Sequence, residues 1–208
     1  MDRIKLKQII EICLLSANKH ISVADLKVAL DYDISDEDVT EIINQIESEY
    51  QDKGIFLVES SSGFRFRTAP EYSPYLSRLY QIKPPKRSKS FLEVLAIIAY
   101  RQPITRGEIE EIRGVTLNNN VMQTLLEQGW IESIGQKMVP GKPEIFATTA
   151  KFLDDLGLKS LEDLPKLLED EATSEILPEI VDNIIQPEIA IANNLDDTDT
   201  PNPEISYA

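Results

Sequence analysis

The stretch that most restricts the fold is FLEVLAIIAYRQPITRGEIEEIRGV, residues 91–115. All of its first nine residues except Glu93 are apolar, and a helix that is apolar on nearly every face belongs in the centre of a small domain. The run stops at Tyr100, well short of the roughly 20 apolar residues that a membrane span needs. The sequence therefore predicts a buried central helix and no membrane segment.

The ends of this helix and the start of the next are marked by capping signals. Ser90 followed by Glu93 predicts a capping box at the start of the buried helix, and Pro103 ends it. Thr105 with Glu108 predicts a second capping box, which opens the next helix. The isoleucines on either side of this box have the spacing of a hydrophobic staple: Ile104 and Ile109. The angle between the two helices is thus specified locally.

The same signals occur about 80 residues earlier. Residues 21–26, ISVADL, match residues 104–109, ITRGEI, position by position, including the N-cap hydroxyl, the acidic residue three positions on and the staple. A helix at 4–17 precedes the first copy, and its stripe of apolar residues places Cys13 on a buried face. The repeat therefore predicts two copies of one supersecondary unit.

Each copy continues into a third helix and a hairpin. In the first copy, the helix at 35–51 ends near Gly54, and 55–68 alternate with period two around a Ser-Ser-Ser-Gly turn. In the second copy, the helix at 117–128 ends at Gly129, and the hairpin runs from 130 to 148. Three helices followed by a two-stranded wing form a winged helix.

The predicted fold class is therefore mainly α (α+β), with two tandem winged-helix domains, each of three helices and a two-stranded β-hairpin wing. We expect an N-terminal domain over residues 1–83, a linker over 84–90, a C-terminal domain with additional C-terminal helices over 91–168, and an acidic, largely disordered tail over 169–208. Within the tail, residues 176–185 have the apolar spacing of a short amphipathic helix, for which docking in a groove and transient structure both remain open.

The charge of −15 is unevenly distributed. The tail after residue 168 carries 11 acidic residues and no Lys or Arg, which leaves −4 for the rest of the chain. The predicted third helices contain no Lys or Arg, and the first of them is strongly acidic. Basic residues occur elsewhere: Arg65, Arg67, Lys86, Arg87, Lys89, Arg101, Arg106 and Arg113. Because phosphate binding depends on Lys and Arg, we expect DNA contact to be indirect or weak, with a winged-helix DNA-binding transcriptional regulator as the alternative.

The sequence contains no recognisable motif for catalysis or metal binding. One Cys and one His provide no zinc-ligand spacing, and no phosphate-binding glycine loop or nucleophile motif occurs. We therefore expect no enzyme activity, no catalytic residues, no cofactor and no metal. Lys5, Lys7 and Glu11 interrupt the N-terminal apolar residues, so no secretory signal is expected and a cytoplasmic location is predicted.

Three long segments resemble segregation and condensation protein B, the tandem winged-helix subunit of bacterial condensin. They are GIFLVESSSGFRFRTAPEYSPYL, LAIIAYRQPITRGEIEEIRGV and LLEQGWIESIGQKMVPGKPEIFATTAKFLDDLGLKSLEDLP, in that order, within a similarity that runs from about residue 9 to residue 168. Residues 117–120 depart from the family's usual start of the third helix, and the acidic tail lies outside the shared region.

The resemblance implies a non-enzymatic cytoplasmic protein that acts in chromosome condensation and partition during cell division. It implies a homodimer, formed largely through the N-terminal domains, that binds the kleisin subunit ScpA. Through the kleisin it would join the SMC ATPase and so associate with the nucleoid.

Exposed aromatic and apolar positions around the helix junction and the linker are the candidate kleisin contacts. An extended or helical peptide is expected to lie on such a surface. The candidate protein-binding residues are Tyr75, Tyr80, Tyr100, Arg101, Gln102, Pro103 and Arg106. The alternative is that Tyr100 closes the core and that the prolines only shape turns.

Overall fold

The computed structural model describes residues 2–81, here called the N-terminal half, and residues 87–165, the C-terminal half. The predicted acidic tail and the helix predicted at 176–185 lie outside the described residues. The described residues form two tandem winged helices, each with its own apolar core.

The N-terminal half consists of three helices followed by a hairpin. Its elements are α1 (Arg3–Ser16), α2 (Val23–Leu30), α3 (Asp36–Tyr50), β1 (Ile55–Ser60) and β2 (Gly63–Thr68). The stripe that the sequence predicts on the third helix is buried in full: Val39, Ile42, Ile43, Ile46 and Tyr50. Cys13 is only half-buried, because Leu6, Ile10 and Leu14 occupy the centre of the α1 face.

A short 3-10 helix (Pro70–Tyr72) and α4 (Ser73–Leu79) follow the first wing. The contribution of α4 to the core is small, since Tyr75 is 64% exposed and Leu79 is 69% exposed.

The C-terminal half repeats the arrangement around the predicted central helix. Its elements are α5 (Lys89–Arg101), β3 (Ile104–Thr105), α6 (Arg106–Arg113), α7 (Asn119–Glu127), β4 (Ile131–Gln136), β5 (Glu144–Thr148), α8 (Ala150–Leu156) and a 3-10 helix (Leu161–Asp163). All eight apolar residues of the predicted run in α5 are buried. The single Trp130 is also in this core, 5% exposed, between Phe91 and Phe152.

The staple isoleucines contribute backbone pairing as well as side-chain packing. Ile104 pairs with Phe146, so β3 joins β5 and β4 in a three-stranded antiparallel sheet. In the N-terminal half, Ile21 and Phe64 exchange two backbone hydrogen bonds of 2.9 Å at the matching place. The two-stranded wing expected from the sequence thus gains a short third strand in the C-terminal half.

Two predicted helix starts are corrected by the structure. Ser88, and not Ser90, caps α5, since its hydroxyl accepts the amide of Phe91 at 3.2 Å. The α7 helix begins at Asn119 and not at Leu117, because the Asn118 side chain accepts the amide of Asn120 and so caps the helix. The predicted capping boxes of α2 and α6 are both present.

Candidate protein-binding surfaces

Two of the basic residues that a DNA reader would need, Arg87 and Arg113, make contacts within the fold. Arg113 is nearly buried and donates to Ser90 at 3.0 Å and to Glu93 at 3.2 Å. The Arg87 guanidinium lies over the rings of Phe91 and Trp130, at 5.0 and 5.4 Å from their centres. These cations stabilise the C-terminal half and do not form a surface that faces phosphates.

The third helices carry the wrong charge for a phosphate backbone. The first turn of α3 holds Asp36, Glu37 and Asp38, and α7 has no basic residue in its last turn or elsewhere. A helix in the major groove needs Lys and Arg beside it to position the protein on phosphates. The third helices therefore lack the cations that such positioning needs.

A groove of about 470 Å³ lies between α7 and β5 in the C-terminal half. Its apolar floor is formed by Met122 and Phe146, which are buried, and its rim by Leu126, which is 41% exposed. The remaining lining residues are polar or prolyl: Arg106, Asn119, Gln123, Pro143 and Glu144. An apolar floor with a polar rim is the usual composition of a peptide-binding groove.

Arg106, a predicted binding residue, lines this groove and also organises it. Its Nε donates to Glu110 Oε1 at 3.1 Å, and its terminal nitrogens donate to the Asn119 side chain and to the carbonyl of Leu117. The same Glu110 oxygen accepts the amide of Leu117 at 2.9 Å, and the Leu117 amide followed by Arg106 holds the pKa of Glu110 below its ordinary value. Arg106 thus fixes the start of α7 against α6.

The capping box of α6 also anchors the second wing. Glu108 accepts the Nζ of Lys137 at 2.6 Å, and the hydroxyl and amide of Thr105 at 2.7 and 2.9 Å. The Lys137 ammonium, followed by Thr105, lowers the pKa of Glu108 to about 2. The wing is thereby held close to the groove.

Two other predicted binding residues point into the fold. Gln102 Oε1 accepts the amide of Thr148 at 2.7 Å, while its Nε2 donates to Thr148 Oγ1 at 2.9 Å and to the carbonyl of Ala99 at 3.2 Å. The hydroxyl of Tyr100 donates to the carbonyl of Pro165 at 2.6 Å, and burial raises the pKa of that hydroxyl. For Tyr100 the geometry favours the alternative, that it closes the core. The Gln102 side chain is likewise occupied by partners within the fold.

Arg101 and Pro103 are exposed at the end of α5, after which the Gln102–Pro103 peptide bond is cis. They do not line the groove between α7 and β5. The structure therefore does not bring the five candidates of the helix junction together on one surface.

The remaining candidates lie on α4 and at its C-terminal end, in the N-terminal half. Tyr75 is 64% exposed and Tyr80 is 46% exposed, and Arg78 lies over the Tyr75 ring, 4.9 Å from its centre. Beside them is a shallow apolar depression of about 290 Å³, with Gly54, Ile55, Thr68, Tyr72, Tyr75 and Leu76 around it. Exposed tyrosines over an apolar depression are typical of protein-binding surfaces.

Met122 and Leu126 were not among the residues predicted from the sequence. The signal was present, because Asn119, Met122, Gln123 and Leu126 occupy positions i, i+3, i+4 and i+7 and so share one face of α7. From the sequence alone this face is expected to be buried in the core, because the pattern does not show that Leu126 remains partly exposed beside β5.

Within residues 2–81 and 87–165, no group of three or more His, Cys, Asp or Glu side chains is arranged to hold a metal ion. No helix in the described part of the chain has the length and apolarity needed to cross a membrane.

The fold defines a tandem winged-helix protein whose third helices, α3 and α7, carry no Lys or Arg. A family model described as segregation and condensation complex subunit ScpB matches residues 8–167. The chain therefore belongs to the ScpB family of segregation and condensation complex subunits.

Individual relatives are similar over most of their length. The segregation and condensation protein B homolog of Coxiella burnetii is 40% identical over 169 residues, which cover 80% of this chain and 81% of the relative. Segregation and condensation protein B of Carboxydothermus hydrogenoformans is 45% identical over 154 residues, covering 72% and 82%. The crystal structure of ScpB from Mycobacterium tuberculosis is 33% identical, covers 76% of this chain and 98% of that chain, and has a TM-score of 0.36.

Proposed function

We propose that this protein is a non-enzymatic, homodimeric subunit of a bacterial SMC complex that binds the kleisin ScpA and supports chromosome condensation and segregation during cell division. Family membership supports the complex, and the groove between α7 and β5 is the observation that supports a peptide ligand. The protein would act in the cytoplasm and reach the SMC ATPase and the nucleoid through the kleisin, with the winged helices of residues 1–83 and 91–168 as separate domains.

The kleisin segment is proposed to occupy two surfaces. In the C-terminal half its apolar side chains would cover Leu126 and reach Met122 and Phe146, since this floor is the part of the groove that gains most from losing water. In the N-terminal half it would lie on the tyrosines of α4, Tyr75 and Tyr80. Neither surface offers a strong charge of one sign, so apolar contact and hydrogen bonds would provide most of the affinity.

The outer face of α1 supports the proposed dimer. Ile4 and Ile12 are 68% and 64% exposed, and Leu15 is 37% exposed. These three residues fall on one side of the helix, opposite the core residues of α1. Pairing of this face with its copy would remove them from water.

The experiment is to express the full chain with and without the ScpA candidate of the same genome and to measure molar mass by light scattering during size-exclusion chromatography. We expect a mass of two chains alone and co-elution of the kleisin when it is present. A monomer that ignores the kleisin but retards DNA, with an affinity that falls steeply with salt, would refute the proposal and favour the transcriptional regulator.

A variant pair tests the groove itself. Leu126→Glu places a charge on the rim of the groove, and Leu161→Glu places the same charge at a position of similar exposure, 37% against 41%. We expect only Leu126→Glu to weaken kleisin binding, with no change in dimer mass. Equal affinities of the two variants would show that the kleisin binds elsewhere.

A further inference from the structure

The turn between β1 and β2 in the N-terminal half contacts α8 of the C-terminal half. One oxygen of Asp154, Oδ1, accepts the hydroxyl of Ser60 at 2.8 Å, the hydroxyl of Ser61 at 3.0 Å and the amide of Ser62 at 3.0 Å. Although partial burial raises it, these hydrogen bonds hold the pKa of Asp154 below its ordinary value. The carboxylate is therefore charged at neutral pH, and its bonds to the turn are charge-assisted.

Further bonds surround this carboxylate. The amide of Ser61 donates to the carbonyl of Leu158 at 3.0 Å, and the Arg67 guanidinium donates to the carbonyl of Asp155. At the edge, Lys159 forms an ion pair with Glu59, both of them substantially exposed. Backbone and side-chain groups of both halves thus take part.

The close approach of the two halves depends on a glycine. Gly157 ends α8 with φ +69, and a Cβ there would lie 2.9 Å from Val58 Cγ1 and 2.7 Å from Arg67 Nη1. Ser60 is 5% exposed even though it is the last residue of β1 before the hairpin turn, because α8 covers it. This turn is thus shaped to be covered by the other half of the chain.

The contact is polar, whereas each half has a separate apolar core. A small polar contact between two bodies with independent cores opens at much lower cost than either core unfolds. We propose that the Ser60–Ser62 turn and Asp154 form an interdomain clamp, which holds the two winged helices in one orientation and opens without unfolding either of them. Asp154 is its positioning residue. The clamp goes beyond the proposed function and does not depend on it.

Hydrogen exchange of the full-length protein, followed by mass spectrometry or NMR, tests the clamp. The amides of Ser61 and Ser62 donate across the contact, so they report its opening directly. In Asp154→Ala we expect them to exchange about tenfold faster or more, since a hydrogen bond to a charged group is lost, while the buried amides of α3 and α5 keep their rates. We also expect a larger radius of gyration in X-ray scattering.

The control is Glu162→Ala, which removes the same charge at an exposed position of the same half. If Asp154→Ala also accelerates the core amides, the double variant Ser60→Ala with Ser61→Ala is decisive, because it removes two donors from the opposite side and leaves α8 intact. Selective acceleration at residues 61 and 62 in that variant supports the clamp. Rates in both variants equal to those of the control would overturn it.

Discussion

Gln102→Ala should destabilise the C-terminal half by about 2 kcal/mol and leave kleisin binding unchanged. The side chain joins the end of α5 to the end of β5 through hydrogen bonds of 2.7, 2.9 and 3.2 Å with Thr148 and Ala99. Alanine removes these bonds and leaves the half-buried amide of Thr148 without this acceptor. A hydrogen bond contributes about 1 kcal/mol net, and an unsatisfied buried donor costs about 1–3 kcal/mol, from which the figure of about 2 follows.

The single Trp130 makes the measurement specific to the C-terminal half, because it is buried in that core. Urea unfolding followed by its fluorescence gives the free energy of unfolding of that half. The matched control is Gln8→Ala, an exposed glutamine on α1, which should leave the transition unchanged. Unchanged stability together with a loss of kleisin binding would refute this interpretation and return Gln102 to the binding surface.

Three further predictions concern the cores, the first wing and the capping box of α6. Ile98→Ala, at a position that is 0% exposed, should cost about 2–5 kcal/mol in the same fluorescence assay, whereas Ile112→Ala, 52% exposed, should cost little. Gly63→Ala should destabilise the N-terminal half, because the glycine has φ +128 and an added Cβ would lie 2.4 Å from the carbonyl oxygen of Ile21. Gly107→Ala has open space around the added Cβ and should stabilise α6 by about 0.5–1 kcal/mol. Hydrogen-exchange rates of core amides measure both effects. The pKa of Glu108 is lowered from 4.5 to about 2, so the contribution of its carboxylate to stability is full above pH 4.5 and is lost as the pH falls towards 2. In Glu108→Gln, the free energy of unfolding should therefore fall less steeply between pH 4.5 and pH 2. An unchanged slope would contradict this role of Glu108.

Much of the fold follows from local signals that the sequence displays directly. The stripe on α3, the apolar run of α5 and the capping boxes of α2 and α6 all occur as predicted. Helical periodicity and capping depend on residues three or four positions apart, so no knowledge of the rest of the chain is needed. The same locality explains an error at the start of α5, where both Ser88 and Ser90 are suitable caps by residue type.

The candidate surfaces were less predictable than the elements. Arg106 lines the groove between α7 and β5. Gln102 and Tyr100 instead bond to Thr148 and Pro165, which are 46 and 65 positions away and so give no local signal in the sequence. A polar residue at a helix end has the same appearance in the sequence whether it faces solvent or a neighbouring strand. Only the packing of β5 against α5 distinguishes the two.

The sequence by itself determined that the chain contains two winged helices, which residues form their cores, and that their third helices carry no Lys or Arg. The tertiary structure decided how the first wing meets α8, with Ser60 and Asp154 in contact across 94 positions. It also decided which apolar face of α7 remains partly uncovered. Both depend on distances between elements that are far apart in the chain, and such distances are set by the packing of the complete fold and not by periodicity or capping.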